Sequence, residues 1–182
     1  MLELPKGKEQ PVQSIRRGKW MVPPDGVVKL NSDGAICLES GLASTGVVVR
    51  EGLNFRGAGG KMYRGISDPL VIEALALRDA ALYAVEKGFG IVMFEVDCLE
   101  LVKLWNNRSM DRSVIKSVLD EINELGSSFQ SFSICFARRE ANQAAHSCAK
   151  FVVLQERDCF WEAEPPLFLV QRLRTDCNDV TG

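Results

Sequence analysis

The sequence predicts one α/β domain, built on a five-stranded mixed sheet with helices on both faces. Three observations lead to this prediction. Three valine-rich stretches separated by glycines are typical of an antiparallel meander. An almost entirely apolar stretch, Ile91–Val96, is typical of a central strand covered on both faces. Helix-like stretches flank the later strands, and such crossovers add strands to a sheet in parallel.

The first three strands are predicted over residues 27–36, 43–51 and 54–63. Gly41 and Gly52 lie between these stretches, where tight turns need backbone conformations that glycine adopts readily. These three strands therefore form the antiparallel half of the predicted sheet.

A long helix is predicted after the meander, because a start signal and a stop signal frame it. Asp68 is a favourable N-cap residue, and Pro69 is favourable in the first turn. The helix is expected to end at Glu86, with Gly88 as the stop signal. The apolar strand Ile91–Val96 follows it directly.

The second half of the chain continues with two helices, a strand and a last helix. Phe132, Ile134 and Phe136 alternate with smaller residues, which predicts a fifth strand with one apolar face. Gly126 is a stop signal for the helix before that strand. These four elements are predicted over residues 99–107, 113–125, 129–137 and 141–155.

The two ends of the chain differ from the part between them. Residues 1–20 are polar and basic without apolar periodicity, so we expect a flexible basic arm. Residues 21–160 are expected to form the folded domain, whose start is marked by Pro23-Pro-Asp-Gly26. Residues 161–182 are interpreted as a C-terminal tail that packs loosely on the domain.

The composition is that of a soluble globular protein, with 46% hydrophobic and 25% charged residues. No apolar stretch has the length of a membrane helix, and the N-terminus lacks the apolar core of a secretory signal. The six cysteines form no CxxC pair, so we expect reduced thiols. These features predict an intracellular protein of a reducing compartment, nucleus or cytoplasm, with no membrane partner.

The net charge of −2 weighs against a general nucleic-acid-binding protein, because such proteins usually carry a basic excess. It does not exclude nucleic acid as a partner. A cluster of catalytic carboxylates lowers the net charge, while a local basic stripe can still bind phosphates.

Three acidic residues lie in apolar surroundings where predicted elements meet. Asp33 lies in the first strand, Glu73 in the first turns of the long helix, and Asp97 directly after Ile91–Val96. Carboxylates in apolar settings are costly unless a cation neutralises them. A shared divalent metal would do so, and hard cations prefer oxygen ligands. The pattern predicts a metal-dependent site that acts on phosphates.

The periodicity of these elements supports a common site. Asp33 shares a strand face with Lys29 and Asn31. Glu73 lies on a helical stripe with alanines, which are small enough to let the helix approach the sheet closely. Asp97 ends a buried strand, the usual ligand position in an open α/β sheet.

Five motifs in order and spacing connect the chain to a known family. They are Lys29-Leu-Asn-Ser-Asp-Gly-Ala35, Thr45-Gly-Val-Val-Val-Arg50, Glu73-Ala-Leu-Ala-Leu77, Phe94-Glu-Val-Asp97 and Arg139-Glu-Ala-Asn142. Over about residues 20–176 the chain resembles the type 1 ribonuclease H family. Within that family it is similar to the plant, reverse-transcriptase-like branch, which is related to retroelement ribonuclease H domains.

The resemblance implies a ribonuclease H-like fold and an endonuclease that hydrolyses the RNA strand of RNA–DNA hybrids. Two magnesium ions would serve the reaction, one activating a water and the other stabilising the leaving oxygen. Carried over, Asp33 would bridge both ions, and Glu73 and Asp97 would complete the metal ligands. Manganese is the alternative ion, the RNA–DNA hybrid is the expected partner, and a monomer is expected.

The chain departs from the family at the fourth carboxylate, whose position is occupied by His146, the only histidine. Imidazole is a poor magnesium ligand and a better one for manganese, and it could also position or deprotonate a water. Three interpretations stay open: a weakened catalytic site that includes His146, an inactive site kept for binding, and a changed metal preference. The basic handle of bacterial members is also absent, because the two middle helices are too close in sequence.

Five further residues near the carboxylates are candidate nucleic-acid contacts. Asn31 and Ser32 could hydrogen-bond RNA 2′-hydroxyls, and Gly34 lies in the same motif. Arg139 could bind a phosphate or be merely solvated. Asn142 could contact substrate or serve as the N-cap of the last helix.

Other polar residues have structural and functional interpretations side by side. Glu95 is expected to form a salt bridge, and Trp105 to pack in the core rather than to stack on a base. Lys103, Arg108 and Arg112 could form a basic patch that replaces the handle.

Two other functions remain open besides the nuclease. One is a non-catalytic nucleic-acid-binding module derived from a retroelement, which would bind hybrid without cleaving it. The other is a protein-interaction domain with a relic site, which would have no affinity for hybrid even at low salt.

Overall fold

The structure is a computed structural model, and it describes residues 8–9, 18–109 and 112–178. Within these ranges, the strands are β1 (Lys8–Glu9), β2 (Val28–Cys37), β3 (Leu42–Glu51), β4 (Asn54–Gly60), β5 (Met62–Arg64), β6 (Ile91–Val96), β7 (Ser131–Phe136) and β8 (Cys159–Trp161). The helices are α1 (Pro69–Glu86), α2 (Leu99–Asn106), α3 (Lys116–Gly126), α4 (Gln143–Gln155) and α5 (Leu167–Asn178). A 3₁₀ helix, Arg139–Asn142, directly precedes α4.

All of these strands join one mixed sheet. Their order is β1-β7-β6-β2-β3-β4-β8, with β5 paired to β3. The β2, β3 and β4 strands pair antiparallel, whereas β6 pairs parallel with both β2 and β7. The predicted architecture, an antiparallel meander followed by parallel crossovers, is therefore confirmed.

The predicted count of five strands is wrong, because the short strands β1, β5 and β8 extend the sheet. The stretch predicted as one strand over residues 54–63 is divided into β4 and β5 at Lys61. There the Lys61 amide donates to Thr45 Oγ1 at 3.1 Å, so a side-chain acceptor interrupts the backbone ladder.

Helices cover both faces of the sheet, as predicted. Val49 packs with Leu77 of α1 in the larger core cluster, whereas Val48 packs with Ala144 and Cys148 of α4 in a second cluster. Because successive residues of a strand point to opposite faces, α1 and α4 lie on opposite faces.

The α4 helix lies unusually close to β3. A Cβ atom at Gly46 would be 2.3 Å from the Ala149 nitrogen, so only glycine fits there. This close approach brings His146, on the same helix, next to Asp33 in the middle of β2.

The α1 helix has the bounds predicted for it, Pro69–Glu86. The Asp68 side chain accepts a hydrogen bond from the Leu70 amide at 2.8 Å and caps the first turn. The helix therefore starts at a defined point, which sets the position of Glu73 one turn later.

The C-terminal residues differ from the expected loose tail. The β8 strand pairs antiparallel with β4, and Leu169 of α5 is fully buried in the second core cluster. Phe168 of α5 stacks on Phe151 of α4 with ring centres 4.3 Å apart. The described part of residues 161–182 therefore packs as an integral layer on the α4 face.

The predicted arm, residues 1–20, lies mostly outside the described residues. Of its described part, Lys8–Glu9 pair with β7, and Trp20 is 1% exposed and belongs to the core. All six cysteines are free thiols. Among the helices of the described ranges, none has both the length and the apolar character needed to span a membrane.

Candidate metal-binding active site

Three carboxylates converge at the carboxyl end of β6, beside the middle of β2. These strands are parallel neighbours paired as far as Ser32 and Val96, so the next residues, Asp33 and Asp97, emerge at the same edge. Glu73 reaches the same point from the start of α1. One oxygen from each of the three residues lies within 4.8 Å of the other two. The structure therefore brings together the three acidic residues singled out from the sequence.

Gly34 allows α1 to carry Glu73 this close to β2. A Cβ atom at Gly34 would lie 2.7 Å from a side-chain carbon of Ile72, which precedes Glu73. A larger residue would push the helix and its carboxylate away from Asp33. Close packing is thus sufficient reason for glycine here, and its contact with nucleic acid stays a prediction.

The three carboxylates repel one another in a poorly solvated site. Burial raises the pKa of Glu73 to about 9, and the negative charges of Asp33 and Asp97 add to this shift. Burial and Asp33 also raise the pKa of Asp97 to about 6, although Arg139 and a hydrogen bond with Asn142 oppose the shift. Both shifts indicate that the cluster lacks a compensating positive charge.

The donor set fits a hard divalent cation. Glu73 Oε2 is buried and has no hydrogen-bond partner among the described residues. Carboxylate oxygens are the ligands that magnesium and manganese prefer. A divalent ion would provide a partner for this oxygen and would neutralise the repulsion within the cluster.

His146 extends from the first turns of α4 and directly contacts Asp33. Its Nδ1 lies 2.6 Å from Asp33 Oδ2, and its side chain is 16% exposed. In the tautomer in which Nδ1 donates to the Asp33 carboxylate, Nε2 is left as the proton-accepting nitrogen. The imidazole therefore stands beside the cluster and engages one oxygen of Asp33.

The side chains of Asn31, Ser32 and Asn142 are fully buried in the protein, and their contact with nucleic acid stays a prediction. Asn31 Nδ2 donates to Glu95 Oε2 at 3.0 Å and to Asn142 Oδ1 at 3.2 Å. Asn142 Nδ2 donates to the Ser32 carbonyl at 2.9 Å. Asn142 is the N-cap residue of α4, as predicted, but its side chain makes no capping hydrogen bond. These amides instead tie β2 to the start of α4 behind the carboxylates.

Two buried ion pairs flank this amide network. Lys29 Nζ lies 2.6 Å from Glu95 Oε1, which confirms the predicted salt bridge of Glu95. Arg50 donates to Asp176 of α5 at 2.7 Å and to Asn31 Oδ1 at 3.1 Å.

The Arg50–Asp176 pair was not anticipated from the sequence. Arg50 of β3 lies opposite Lys29 of β2 in the sheet register. Charged residues within apolar strands indicate that buried ion pairs are present. The partner could not be found from sequence, because 126 residues separate Arg50 from Asp176.

The remaining candidates lie at the surface or in the core. Arg139 is exposed at the start of the 3₁₀ helix, next to the cluster. Trp105 is fully buried, which confirms core packing, and the Arg108 guanidinium lies 4.1 Å from the centre of its ring. A basic patch of Lys103, Arg108 and Arg112 stays a prediction.

The metal-free protein is expected to lose stability as the pH rises from 4.5 towards 9, because the folded state holds a proton on Glu73 across this window. A carboxyl whose pKa is raised on folding stabilises the fold at low pH, and this contribution is lost as the pH rises through the folded pKa. Urea unfolding midpoints in a chelator at several pH values measure the effect. Glu73→Gln should flatten the profile and the exposed control Glu124→Gln should not; an equal slope in Glu73→Gln contradicts the prediction.

Comparison with known proteins places the chain in a family. The family described as reverse transcriptase-like matches residues 31–152, a segment that includes all three carboxylates and His146. Among curated proteins, a sequence search gave no match.

Three solved structures that are similar to this chain are ribonucleases H. RNase H1 from the halophilic archaeon Halobacterium salinarum is 23% identical with a TM-score of 0.64, over 71% of this chain and 98% of that one. The N-terminal RNase H domain of Rv2228c from Mycobacterium tuberculosis is 19% identical with a TM-score of 0.64, over 71% and 94% of the two chains. LC11-RNase H1, solved in complex with an RNA/DNA hybrid, is 14% identical with a TM-score of 0.57, over 71% and 98%.

The two comparisons agree with the observed topology. At these identities the structural similarity shows the fold, and the family match covers more than half of the chain. The chain therefore belongs to the reverse transcriptase-like family and has the type 1 ribonuclease H fold.

Proposed function

We propose that this protein is an endonuclease of the ribonuclease H type, which hydrolyses the RNA strand of RNA–DNA hybrids. The observation that carries the proposal is the convergence of Asp33, Glu73 and Asp97 within 4.8 Å in a ribonuclease H fold. The hybrid bound to LC11-RNase H1, which has a similar fold, supports the substrate. We also propose a monomer of a reducing intracellular compartment, from the plant, retroelement-related branch of the family.

In this proposal Asp33, Glu73 and Asp97 would hold two divalent ions, magnesium or alternatively manganese. When bound, the ions supply Lewis-acid stabilisation of the reacting phosphate and of its leaving oxygen. Hydrolysis forms a bond from a water oxygen to phosphorus and breaks the bond to a ribose oxygen. His146 accepts the proton of the water at Nε2, since Nδ1 is engaged by Asp33, and the leaving oxygen takes a proton from solvent.

Cleavage of an end-labelled RNA–DNA hybrid tests the proposal, with magnesium and manganese in separate reactions. Single-stranded RNA, duplex RNA and duplex DNA of the same sequence are the controls. We expect cuts in the RNA strand of the hybrid alone. Intact hybrid in both metals, with protein shown to be folded by circular dichroism, would overturn the assignment.

A non-catalytic nucleic-acid-binding module is the second candidate function, and the His146–Asp33 contact favours it. A hydrogen bond of 2.6 Å engages Asp33 Oδ2 and makes that oxygen less available as a metal ligand. Such a module would bind hybrid and would cleave it in neither metal.

Replacing His146 with aspartate is expected to increase magnesium-dependent cleavage by about tenfold or more, because a carboxylate can still accept the proton of the water and also adds a hard oxygen ligand. Single-turnover rates in magnesium and in manganese measure the change. His146→Asn is the matched control, since it removes the imidazole without adding a charge. An equal gain in His146→Asn would mean that loss of the contact with Asp33, and not the new carboxylate, is responsible.

A further inference from the structure

We propose that Asp176 of α5 is a positioning residue for the carboxylate cluster, which it reaches through a buried chain of hydrogen bonds. The inference rests on the proposed function, because it takes the cluster as a divalent-metal site. The family match ends at residue 152, so α5 lies outside the matched segment. The Asp176 side chain is nevertheless buried inside the domain.

Consecutive hydrogen bonds lead from Asp176 to the backbone of β2 beside the cluster. Arg50 Nη1 donates to Asp176 Oδ2 at 2.7 Å, and Nη2 of the same guanidinium donates to Asn31 Oδ1 at 3.1 Å. Asn31 Nδ2 donates to Asn142 Oδ1 at 3.2 Å, and Asn142 Nδ2 donates to the Ser32 carbonyl at 2.9 Å. The side chains of Asp176, Arg50, Asn31 and Asn142 thus form a relay that ends on the peptide leading into the first carboxylate of the cluster.

The relay also reaches a second carboxylate of the cluster. Burial and Asp33 raise the pKa of Asp97, and a hydrogen bond from the Asn142 side chain opposes this shift. The position of the Asn142 amide therefore affects Asp97 directly, and it affects the strand that carries Asp33 through the bond to the backbone of β2.

The two ends of the relay fix the direction of its hydrogen bonds. A guanidinium only donates, so Asn31 must present Oδ1 to Arg50 and Nδ2 to Asn142. A backbone carbonyl only accepts, so Asn142 must present Nδ2 to Ser32 and Oδ1 to Asn31. The Trp20 indole, which also only donates, supports this orientation through its bond to Asn31 Oδ1 at 3.1 Å. A flipped amide in the relay would leave two donors or two acceptors facing each other.

Asp176 holds the guanidinium where it can donate to Asn31. The Arg50 side chain is buried, its ion-pair partner Asp176 lies 2.7 Å away, and the centre of the Trp20 ring lies 3.7 Å from the guanidinium carbon. Without Asp176, the guanidinium would gain by moving towards water, because an unpaired buried charge is costly. Such a movement would break its bond to Asn31 and loosen the amides that position the cluster.

Binding of Mn²⁺ alone, followed by the electron paramagnetic resonance signal of the free ion, tests the proposal without nucleic acid. The double variant Arg50→Met with Asp176→Leu removes both buried charges together, so no unpaired charge is left inside the fold. Its affinity for Mn²⁺ should fall about three- to tenfold, which is less than the about 10–100-fold effect of a residue that hydrogen-bonds a metal ligand directly.

Leu119→Ala is the control for a general loss of stability. Leu119 of α3 is fully buried in the larger core cluster and lies outside the relay. Its truncation leaves a cavity that destabilises the fold, but affinity for Mn²⁺ should stay that of the original protein. All variants are compared at a temperature at which circular dichroism shows them folded. An equal loss of affinity in Leu119→Ala would overturn the proposal, since lower stability alone would then explain the effect.

A double-mutant cycle tests whether Asp176 acts through the relay. Asn142→Ala should weaken Mn²⁺ binding about 10–100-fold, because Asn142 hydrogen-bonds a carboxylate of the cluster. Adding Arg50→Met and Asp176→Leu to Asn142→Ala should have little further effect, since the relay is already interrupted. Fully additive losses would overturn the relay.

The outcomes separate this inference from the proposed function. Absence of Mn²⁺ binding by the original protein would overturn both. Mn²⁺ binding that the Arg50→Met and Asp176→Leu variant leaves unchanged would overturn the role of Asp176 alone. Weaker Mn²⁺ binding by this variant, together with hybrid that the original protein leaves intact, would support the role of Asp176 and overturn the nuclease.

Discussion

Asp97→Asn is expected to abolish cleavage of the hybrid while the fold stays intact. The substitution preserves the shape of the side chain and removes one of three negative charges that the proposed ions require. Even outer-shell partners of metal ligands contribute about 10–100-fold to activity, so loss of a direct ligand should exceed that range. The free energy of unfolding of the metal-free protein, by contrast, should increase. Burial and Asp33 raise the pKa of Asp97 to about 6, so at neutral pH the metal-free fold gains from losing this charge.

The test combines single-turnover cleavage with thermal unfolding in a chelator. Asp25→Asn, in an exposed turn, is the matched control for the chemical change. It should leave both cleavage and unfolding temperature unaltered. Cleavage by Asp97→Asn within a few-fold of the original rate would remove Asp97 from the proposed site. A lower unfolding temperature would show that its carboxylate has a structural partner instead.

Asp176→Ala is expected to destabilise the protein by about 3–5 kcal/mol, because it leaves the Arg50 guanidinium buried without its counter-charge. The Arg50 and Asp176 side chains are only 2% and 6% exposed, and their atoms lie 2.7 Å apart. Burial lowers the pKa of Arg50 and the charge of Asp176 opposes this effect, so the charged form depends on the pair. Alanine is the best helix former, so the loss cannot come from the propensity of α5.

Urea unfolding midpoints measure this loss of stability. Glu51, the residue after Arg50, provides a matched control. Glu51 pairs with Arg56 at the surface, with side chains 38% and 48% exposed, so Glu51→Gln should cost about 0–1 kcal/mol. The double variant Arg50→Met with Asp176→Leu should recover much of the loss, because it removes both charges and refills the space. Equal effects of Asp176→Ala and Glu51→Gln would contradict the integration of α5 into the domain.

The helix α1 and the strand β6 were predictable because the residues that define them are close together in the sequence. The Asp68–Pro69 start signal and the stop near Gly88 define α1 within the chain itself, and the structure gives the same bounds. The apolar run Ile91–Val96 is likewise the strand β6. The strand over residues 54–63 was predicted without its break, because the Thr45 hydroxyl that interrupts the ladder belongs to another strand.

Part of the candidate site could not be predicted from local sequence patterns. Asn31 and Ser32 directly precede Asp33 in the sequence, and for this reason they were predicted to contact the substrate. Alternation along β2 correctly put Asn31 on the face of Asp33, but it could not tell what covers that face. The structure shows a buried network there, in which Asn31 bonds Asn142, Glu95 and Arg50.

Sequence by itself determined the order of elements, the mixed sheet, and the element to which each of the three carboxylates belongs, because periodicity and capping are properties of neighbouring residues. Only the tertiary structure decided that these carboxylates meet within 4.8 Å, that His146 contacts Asp33, and that α5 joins the domain. Such contacts connect residues far apart in the chain, and their distances depend on how closely helices pack on the sheet. Gly34 and Gly46 allow that close packing, and no local pattern shows which helix each of them admits.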